Sequence, residues 1–413
     1  MLPTFATVDP DILRTSFAVV ERRAEFAVKY FYSYLFWHHP GVRALFPLDF
    51  PEDMERQRDR LFAALTHVVA RLEDPGLPGY LGELGRDHRK YLAEPEHYTA
   101  VGESLLAAFA AVSGSAWNAE VEKAWGEAYT AVADAMLEGA RQAESDGEPP
   151  WWEAEVTGRV RHGDSLAVLT LRPHRPLPYT AGQHVGVCSP RLPGVWRPYS
   201  LANAPRSDHT VDLHVGLVED GVLSDLLVRR TREGDTLRLG APGGRMTLGT
   251  PAEDPVTFIA AGTGWAPVKA LLEQLAADGP GPAEARLFLV ARDIAHLYDR
   301  AALGDLRTRL PQLDVTAITP APGRPKEQAT ERLLTALGNR ANWARHTVCL
   351  AGPPRLVDEV AELLPLLGAD PGRILHDPLP PTGGGPARPL GPGEWLLHRP
   401  RPHWHRPSAR APD

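Results

Sequence analysis

The chain contains only two cysteines in 413 residues, Cys188 and Cys349, and its basic residues do not outnumber its acidic ones. Two thiols cannot build a disulfide framework or a zinc site by themselves. The 44 Lys and Arg residues stand against 52 Asp and Glu residues, for a net charge of −8, whereas a nucleic-acid-binding surface needs clustered cations. We therefore expect a protein of the reducing cytoplasm that does not bind nucleic acid.

Long apolar stretches are also missing. No run approaches the length of about 18 apolar residues that a membrane-spanning helix needs, and the first residues do not form a basic region followed by an apolar one. We expect a soluble protein without a signal peptide or a membrane span. Glycine and proline are abundant instead, at 37 and 41 residues, so loops or tails must hold the excess.

The length of the whole chain predicts two or three domains, at about 150 residues each. Helical spacing dominates the first third of the chain. Asp9 followed by Pro10 is typical of a helix start. Apolar residues recur from there at steps of three and four, which predicts one long helix or a closely joined pair. This stripe consists of Leu13, Phe17, Val20, Ala24, Val28, Phe31 and Leu35. Similar stripes follow, so we predict an all-α domain over residues 1–142.

The pattern changes after a polar linker, predicted at residues 143–150, that ends in two prolines. Short β-rich segments separated by Gly, Pro or Asp turns occupy residues 151–252 and predict an antiparallel β-barrel. The predicted strands are residues 155–161, 166–171, 185–188, 211–218 and 236–239.

Strand and helix patterns alternate over residues 253–379. Such alternation predicts an α/β domain with a parallel sheet and helices on both faces. Strands are predicted at residues 256–260, 286–291 and 347–351, and helices at residues 266–275, 331–337 and 356–367. Residues 380–413 hold nine prolines and five glycines without periodicity, so we expect a disordered tail there.

Two turns of the α/β domain are candidate phosphate-binding sites. The first comprises Gly262, Thr263, Gly264, Trp265, Ala266 and Pro267, between a strand and a helix, and the second comprises Gly352 and Pro353 after a later strand. Glycines let the backbone approach a phosphate, and a helix N-terminus supplies unpaired N–H groups. A lone Gly-x-Gly is weak evidence because turns use glycine anyway. The strand–turn–helix context favours the binding interpretation.

The barrel contains three further motifs. They are the segment that ends at His184, the element Arg197, Pro198, Tyr199 and Ser200, and the pair Gly221 and Ser224. Alone, each is compatible with ordinary turns and strands. An arginine can pair with a pyrophosphate, a tyrosine can cover a flat ring, and a serine near a helix terminus can hold a second phosphate.

In this order the motifs resemble the ferredoxin–NADP reductase-type flavoprotein module, over residues 151–379. The resemblance implies that the barrel motifs bind FAD and that the two glycine turns receive NAD(P)H. Near its end the family has Glu and then an aromatic residue that covers the flavin ring. Here the segment reads Asp377-Pro378-Leu379, so Leu379 is expected to shield the ring without stacking on it.

His88 is the candidate metal ligand of the helical domain. It continues the apolar stripe of Leu81 and Leu84 and is followed by Tyr91 on the same face, which places an imidazole on the buried side of a helix. By itself such a histidine is expected to be a core residue bonded to a carbonyl. Other segments favour a different interpretation of His88. They are residues 31–36, 39–46 and 57–58, and residues 94–103 after His88.

Together these segments resemble the globin domain of flavohaemoglobins. The resemblance implies that His88 is the proximal ligand of haem b, that Phe46 packs against the porphyrin, and that Tyr32 and Gln57 are distal residues. A ferrous haem held by one neutral imidazole keeps an open site for oxygen. A phenol and an amide can donate hydrogen bonds to bound oxygen. The ordinary alternatives are a core tyrosine and a surface glutamine.

Several positions depart from the family pattern. The family pairs a Glu on the last globin helix with the tyrosine matched by Tyr98, and together they support the proximal imidazole. The matching position here is Ala140, and Glu138 points elsewhere on the helix. His88 is then expected to use the carbonyl of Leu84 or the hydroxyl of Tyr98. In the reductase module, Gly216 replaces a basic residue, and Ala351 stands where Cys is frequent.

The resemblance implies an NAD(P)H-dependent oxidoreductase similar to nitric oxide dioxygenases, with oxygen and nitric oxide as substrates. Two alternatives stay open: a flavin and haem reductase or oxidase with another acceptor, and a sensor that only binds oxygen or nitric oxide. The choice between NADH and NADPH also stays open, because Arg292 can meet a 2′-phosphate or lie in solvent. The sequence does not predict an oligomeric state.

Overall fold

A computed structural model gives the fold of residues 9–46, 51–249, 254–279, 282, 284–293, 296–321, 327–339 and 342–377; the side chains of residues 44, 51–60 and 327 are outside this description. The position of Leu379, the predicted tail at 380–413 and the side chain of Gln57 therefore lie outside the described part. The described residues form a helical domain, an antiparallel sheet of six strands and a parallel sheet of five strands. This confirms the predicted multidomain fold class.

The first described part is helical. Its α-helices are Pro10–Glu21 (α1), Ala24–His38 (α2), Pro51–Ala70 (α3), Leu77–His88 (α4), Pro95–Ser113 (α5) and Ala119–Ser145 (α6). The predicted start at Asp9 is confirmed, because its carboxylate accepts from the main-chain N–H of Asp11 at 2.9 Å. The long apolar stripe is divided between α1 and α2, so it is a closely joined pair. Their buried residues share one core with α5 and α6.

Helix α5 is long and rich in apolar residues. Together with the turn that follows it, Pro95–Ala116 is the segment of the described chain that is long and apolar enough to cross a membrane by length and composition alone. Its buried residues, among them Leu105 and Phe109, pack in the same core as Phe17 and Leu35. A core helix of a globin-sized helical domain has the same composition.

Helices α4 and α6 approach each other through glycines. A Cβ atom at Gly85 would overlap the main-chain carbonyl of Met136, and one at Gly139 would overlap that of Gly82. The two backbones are therefore in direct contact, which only glycine permits at these positions. This contact fixes the last turn of α4, which carries His88.

Helix α6 runs past residue 142, where the sequence predicts the end of the helical domain. It continues to Ser145, into the predicted linker, because Ala143 is buried against the rest of the domain. Gly147, at φ 75°, ends it. Glu148 then accepts two hydrogen bonds from the guanidinium of Arg86, one of them at 2.7 Å, so the linker is attached to α4.

The barrel strands are Trp152–His162 (β1), Leu166–Pro173 (β2), His184–Cys188 (β3), Arg197–Ser200 (β4), Val211–Gly216 (β5) and Thr236–Leu239 (β6). Their order is β4-β3-β6-β1-β2-β5, and a bridge between Leu201 and Leu213 joins the two outer strands. The predicted antiparallel barrel is confirmed. The sequence did not predict β4, since Pro198 interrupts its pattern, and β5 ends two residues before the predicted end at 218. The short helix Val222–Asp225 (α7) follows β5.

The last domain is a parallel sheet in the order β11-β10-β7-β8-β9. Its strands are Val256–Ala261 (β7), Ala285–Val290 (β8), Leu313–Ile318 (β9), Thr347–Ala351 (β10) and Ile374–Leu375 (β11). Its helices are Trp265–Ala277 (α8), Arg300–Arg309 (α9), Glu327–Gly338 (α10) and Pro354–Leu366 (α11). The sequence missed α9 and β9. Helix α9 has Leu306 as its buried residue, and β9 is an edge strand, so neither carries a strong apolar pattern.

Candidate functional site

The predicted haem ligand, His88, is the last residue of α4. Its Nδ1 lies 2.8 Å from the main-chain carbonyl oxygen of Leu84. A carbonyl oxygen only accepts hydrogen bonds, so Nδ1 carries the proton and Nε2 keeps the lone pair that an iron requires. Burial lowers the pKa of His88, which favours the neutral imidazole. The donor chemistry therefore fits a haem iron, and of the two expected partners the structure selects the Leu84 carbonyl.

The predicted distal tyrosine, Tyr32, lies on α2 and is only 6% exposed. Its ring meets that of Phe46 edge-on, with centroids 5.8 Å apart, so the structure brings these two predicted residues together. Burial raises the pKa of the Tyr32 phenol, and no described residue accepts a hydrogen bond from it. A protonated phenol in an apolar setting is available as a donor to a ligand.

The other residues expected to act on the haem lie in different surroundings. The ring of Tyr98 packs beside Leu81 and Leu84, and burial raises its pKa to about 12. Its main-chain carbonyl accepts a hydrogen bond of 2.5 Å from the hydroxyl of Tyr129. Gln57 belongs to α3, but its side chain is among those not described.

The proximal carboxylate is absent from the position that the resemblance assigns to it. Ala140 lies next to Gly139 on α6. Gly139 contacts Gly82, in the middle of α4, and not His88 at the end of α4. Glu138 pairs with Arg141 at 2.7 Å on the surface, as expected for a side chain that points elsewhere. Within the described ranges no group of three or more His, Cys, Asp or Glu side chains that could hold a metal ion occurs.

The predicted flavin motif forms strand β4, which pairs with β3 so that Ser200 lies opposite His184. The Nη1 of Arg197 donates to the carbonyl of Trp196 at 2.9 Å, and Tyr199 packs against the barrel core. Burial raises the pKa of Tyr199. Strand pairing therefore brings together the predicted residues at positions 184 and 197–200 on one edge of the barrel.

The predicted phosphate element of Gly221 and Ser224 forms hydrogen bonds within its own loop. The hydroxyl of Ser224 donates to the carbonyl of Gly221 at 2.8 Å and accepts from the N–H of Val218 at 3.1 Å. Ser224 is 4% exposed. Its hydroxyl therefore stabilises the loop before α7 and is not free to bind a phosphate without breaking these bonds.

The end of the described chain reaches the barrel edge that carries the predicted flavin motif, here called the flavin edge, a contact that the sequence did not predict. Asp377 accepts from the N–H of Arg245 at 2.7 Å and lies 3.3 Å from the Nδ1 of His184. Gly244, at φ 107°, leaves the space for this contact, because a Cβ there would meet both side chains. The adjacent His376 has a buried Nδ1 without a hydrogen-bond partner among the described residues. An unsatisfied buried nitrogen in this segment fits a site that a polar cofactor completes.

The predicted dinucleotide turn follows β7 and begins α8. Gly262 has φ 57° and is exposed, and Thr263 and Gly264 are half-buried. The next three residues, Trp265, Ala266 and Pro267, are buried in the domain. The turn residues therefore offer their backbone to a phosphate, while the side chains of the last three support the turn from below.

The second predicted turn touches the first. A Cβ on Gly264 would overlap the carbonyl of Ala351, and one on Gly352 would come within 3.0 Å of the Cβ of Ala261. Pro353 precedes the first residue of α11. Since β7 and β10 are neighbouring parallel strands, both turns lie at the carboxyl edge of the sheet, where such sheets bind ligands.

The barrel meets this edge through Gly216. A Cβ there would be 3.2 Å from the Cγ2 of Thr263, so the glycine that replaces a basic residue allows close contact with the dinucleotide turn. A second contact lies nearby, where the Nδ1 of His214 is 2.8 Å from the hydroxyl of Tyr298. The indole of Trp265 donates to Asp299 at 2.9 Å. Burial lowers the pKa of His214 to about 4, so it is neutral and links the two domains as an ordinary hydrogen-bonding group.

Lys90 lies between the helical domain and the barrel. It follows His88 by two residues, its side chain is 9% exposed, and its Nζ is 2.6 Å from Asp87. The ammonium also lies 5.7 Å from the ring centre of Trp196, next to Arg197. A Cβ on Gly186 would come within 3.2 Å of this nitrogen. The segment that follows α4 and the predicted ligand His88 therefore contacts the flavin edge.

Comparison with known proteins agrees with this architecture. Three family models match in order: Globin at residues 29–136, Oxidoreductase FAD-binding domain at 155–248 and Oxidoreductase NAD-binding domain at 258–362. The flavohemoprotein of Deinococcus radiodurans is 31% identical over 284 residues, which is 65% of this chain and 69% of that protein. That of Rhodopirellula baltica is 28% identical over 385 residues, 87% of this chain and 94% of that protein.

A solved structure has the same fold. The flavohemoglobin of Malassezia yamatoensis, crystallised with bound FAD and heme, superimposes with a TM-score of 0.72 at 20% identity. The match covers 89% of this chain and 97% of that one. The chain therefore belongs to the flavohaemoprotein family, oxidoreductases that join a haem-binding globin domain to FAD-binding and NAD-binding domains.

Proposed function

We propose that this flavohaemoprotein is an NAD(P)H-dependent nitric oxide dioxygenase. In this reaction nitric oxide and dioxygen take up one electron and become nitrate, so one NAD(P)H supports two turnovers. The observation that carries the proposal is the buried phenol of Tyr32 beside Phe46, which has no hydrogen-bond acceptor among the described side chains. It lies in the same domain as a histidine whose Nε2 is available to iron.

Each predicted globin residue has its own role toward a haem, which would supply the iron that binds oxygen. His88 would hold the iron through Nε2, because the Leu84 carbonyl keeps the proton on Nδ1. The phenol of Tyr32 would donate a hydrogen bond to a diatomic ligand, and the ring of Phe46 beside it would exclude water. We assign Gln57 as a second donor and Tyr98 as a proximal support.

The reductase residues hold the two electron carriers. Arg197, Pro198, Tyr199 and Ser200 hold FAD, with His184 beside them, while the loop of Gly221 and Ser224 offers N–H groups to its phosphates. The turn residues at 262–267 and 352–353 hold the nicotinamide dinucleotide. We assign Leu379 to the cover over the flavin ring. When bound, FAD would supply the conversion of a two-electron hydride transfer into single-electron transfers.

A route from flavin to haem requires that the two sites lie close together. Lys90 joins the segment after His88 to the ring of Trp196, which precedes the flavin residue Arg197. This contact supports electron transfer within one chain. We place the activity in the reducing cytoplasm, to which the two free, buried cysteines are suited.

One observation favours a second candidate function. The partner of His88 is a main-chain carbonyl and not a carboxylate, which leaves the imidazole a weaker donor to iron. A weaker donor suits a reductase or oxidase that passes electrons to another acceptor.

Stopped-flow spectroscopy tests the proposal against its alternatives. The protein with bound haem and FAD is reduced anaerobically with NADH or NADPH and is then mixed with oxygen and nitric oxide. The dioxygenase predicts rapid haem reduction and nitrate as the product. Flavin turnover without haem reduction would favour the reductase, and ligand binding without turnover would favour a sensor.

A further inference from the structure

A buried ion pair connects the dinucleotide helix to the flavin segment. Lys269 lies on α8, one turn after the glycine turn, and is 6% exposed. Its Nζ donates to the carboxylate of Glu273 at 2.7 Å and to the main-chain carbonyl of Ala202 at 2.9 Å. The other oxygen of Glu273 accepts from the N–H of Ala204 at 3.1 Å. Both charged groups of α8 therefore bind the backbone of the barrel.

The segment that they bind follows the flavin motif directly. It begins after Ser200, the last residue of β4, and it is rigid. Asn203 is fully buried and its amide donates to the carbonyl of Thr210 at 3.1 Å. The N–H of Ala202 donates to the carbonyl of Asp212 at 2.8 Å. A movement of α8 is therefore transmitted to a segment that cannot adjust independently.

Stability alone does not explain this pair. Moving two charges out of water costs about as much as their attraction returns, so a buried ion pair adds little net stability. Such a pair does enforce one geometry, because each charge left without its partner is strongly unfavourable. Lys269 and Glu273 each have a backbone partner on the barrel, so only one placement of α8 satisfies both.

We propose that Lys269 and Glu273 are positioning residues for hydride transfer, because they lock the helix that follows the dinucleotide turn to the segment that follows the flavin motif. The nicotinamide is oxidised and the flavin is reduced by the transferred hydride. The two rings must lie within a few tenths of an ångström of the reactive separation, and a displacement of about 1 Å costs up to roughly 100-fold in rate. The proposal rests only on the reductase half of the proposed function.

The experiment measures flavin reduction in the anaerobic full-length protein with bound haem and FAD. Wild type, Lys269→Met, Lys269→Arg and Glu273→Gln are mixed with NADH or NADPH, and the limiting rate and the dissociation constant are obtained separately. Lys269→Met is expected to lower the limiting rate about 10- to 100-fold with little change in the dissociation constant. It is also expected to lose the long-wavelength absorbance of the nicotinamide–flavin complex.

The other variants separate positioning from folding. Lys269→Arg keeps the charge and two donors and is expected to recover most of the rate. If Lys269→Met retains less FAD than wild type, Glu273→Gln is used instead, because it keeps the side-chain shape. It is expected to show the same fall in limiting rate with little change in the dissociation constant. Lys123→Met is the matched control, because Lys123 forms the same i,i+4 pair with Glu127 on the surface of α6.

Equal limiting rates in wild type and Lys269→Met, or in wild type and an FAD-replete Glu273→Gln, would overturn the proposal. A wild-type flavin that neither NADH nor NADPH reduces would overturn the proposed function itself. That result does not depend on the variants, so the two failures are distinguishable.

Discussion

The Nδ1 of His88 donates a hydrogen bond of 2.8 Å to the main-chain carbonyl oxygen of Leu84, one turn earlier on the same helix. A neutral carbonyl polarises the imidazole less than a carboxylate does. We therefore expect the iron–histidine stretching frequency of the ferrous protein to be lower than in a globin whose proximal histidine donates to a carboxylate. Resonance Raman spectroscopy measures it directly. A frequency as high as that of a carboxylate-supported histidine would contradict this assignment of the partner.

The contact of Gly85 with Met136 predicts a stability effect. In Gly85→Ala the new methyl group would overlap the carbonyl of Met136, which forces α4 away from α6. We expect a loss of about 1–3 kcal/mol and weaker haem retention, because His88 ends the displaced helix. Gly79→Ala on the same helix is the control. No atom lies near its Cβ, so it should be neutral or up to about 1 kcal/mol stabilising. Equal melting temperatures for the two variants would refute the backbone contact.

Tyr32→Phe removes the proposed donor to bound oxygen while keeping the ring that meets Phe46. One hydrogen bond to a partly charged ligand contributes about 1.5–3 kcal/mol, so the oxygen dissociation rate should rise roughly 10- to 100-fold. Flash photolysis or stopped-flow mixing measures this rate. An unchanged rate would show that the phenol does not bind the ligand.

The pH dependence of the same rate follows from burial. An exposed tyrosine loses its proton near pH 10, but burial raises the pKa of Tyr32 above its ordinary value. The folded pKa is raised, so the protonated donor persists as the pH rises through that value. We expect the wild-type oxygen dissociation rate to stay flat up to about pH 10. A rise towards the Tyr32→Phe value below that pH would contradict the buried setting.

How much the sequence predicts differs between site and interface. The resemblance assigned roles to His88, Tyr32 and the β4 motif because each assignment depends on local spacing, and these roles stay predictions. Lys90 and Lys269 were not singled out, and Asp377 was noted only as part of the segment that departs from the family pattern. Their roles depend on contacts between residues as much as 193 positions apart, and a single charged residue on a helix or after a strand is ordinarily a solvated one. Strand β4 was missed for a local reason, since Pro198 interrupts it.

Lys90→Met tests the contact between the segment that follows His88 and the flavin edge. The substitution keeps most of the side-chain volume but removes the ammonium that faces Asp87 and Trp196. We expect haem reduction by NAD(P)H to slow severalfold, while flavin reduction stays unchanged because no residue proposed to hold the dinucleotide or the flavin is substituted. Rapid-scanning stopped flow resolves both steps. Lys29→Met, which removes an exposed lysine paired with Glu25, is the control, and equal haem reduction in both variants would argue against this contact as the electron route.

Oxygen-isotope labelling of the product tests the central claim most directly. The reduced protein, with haem and FAD bound, is supplied with NAD(P)H, nitric oxide and oxygen-18-labelled dioxygen, and the nitrogen oxides are analysed by mass spectrometry. A nitric oxide dioxygenase predicts nitrate that carries two labelled oxygen atoms, at two nitrates per NAD(P)H oxidised. Peroxide or superoxide as the main product, or nitrate without paired label, would contradict the account.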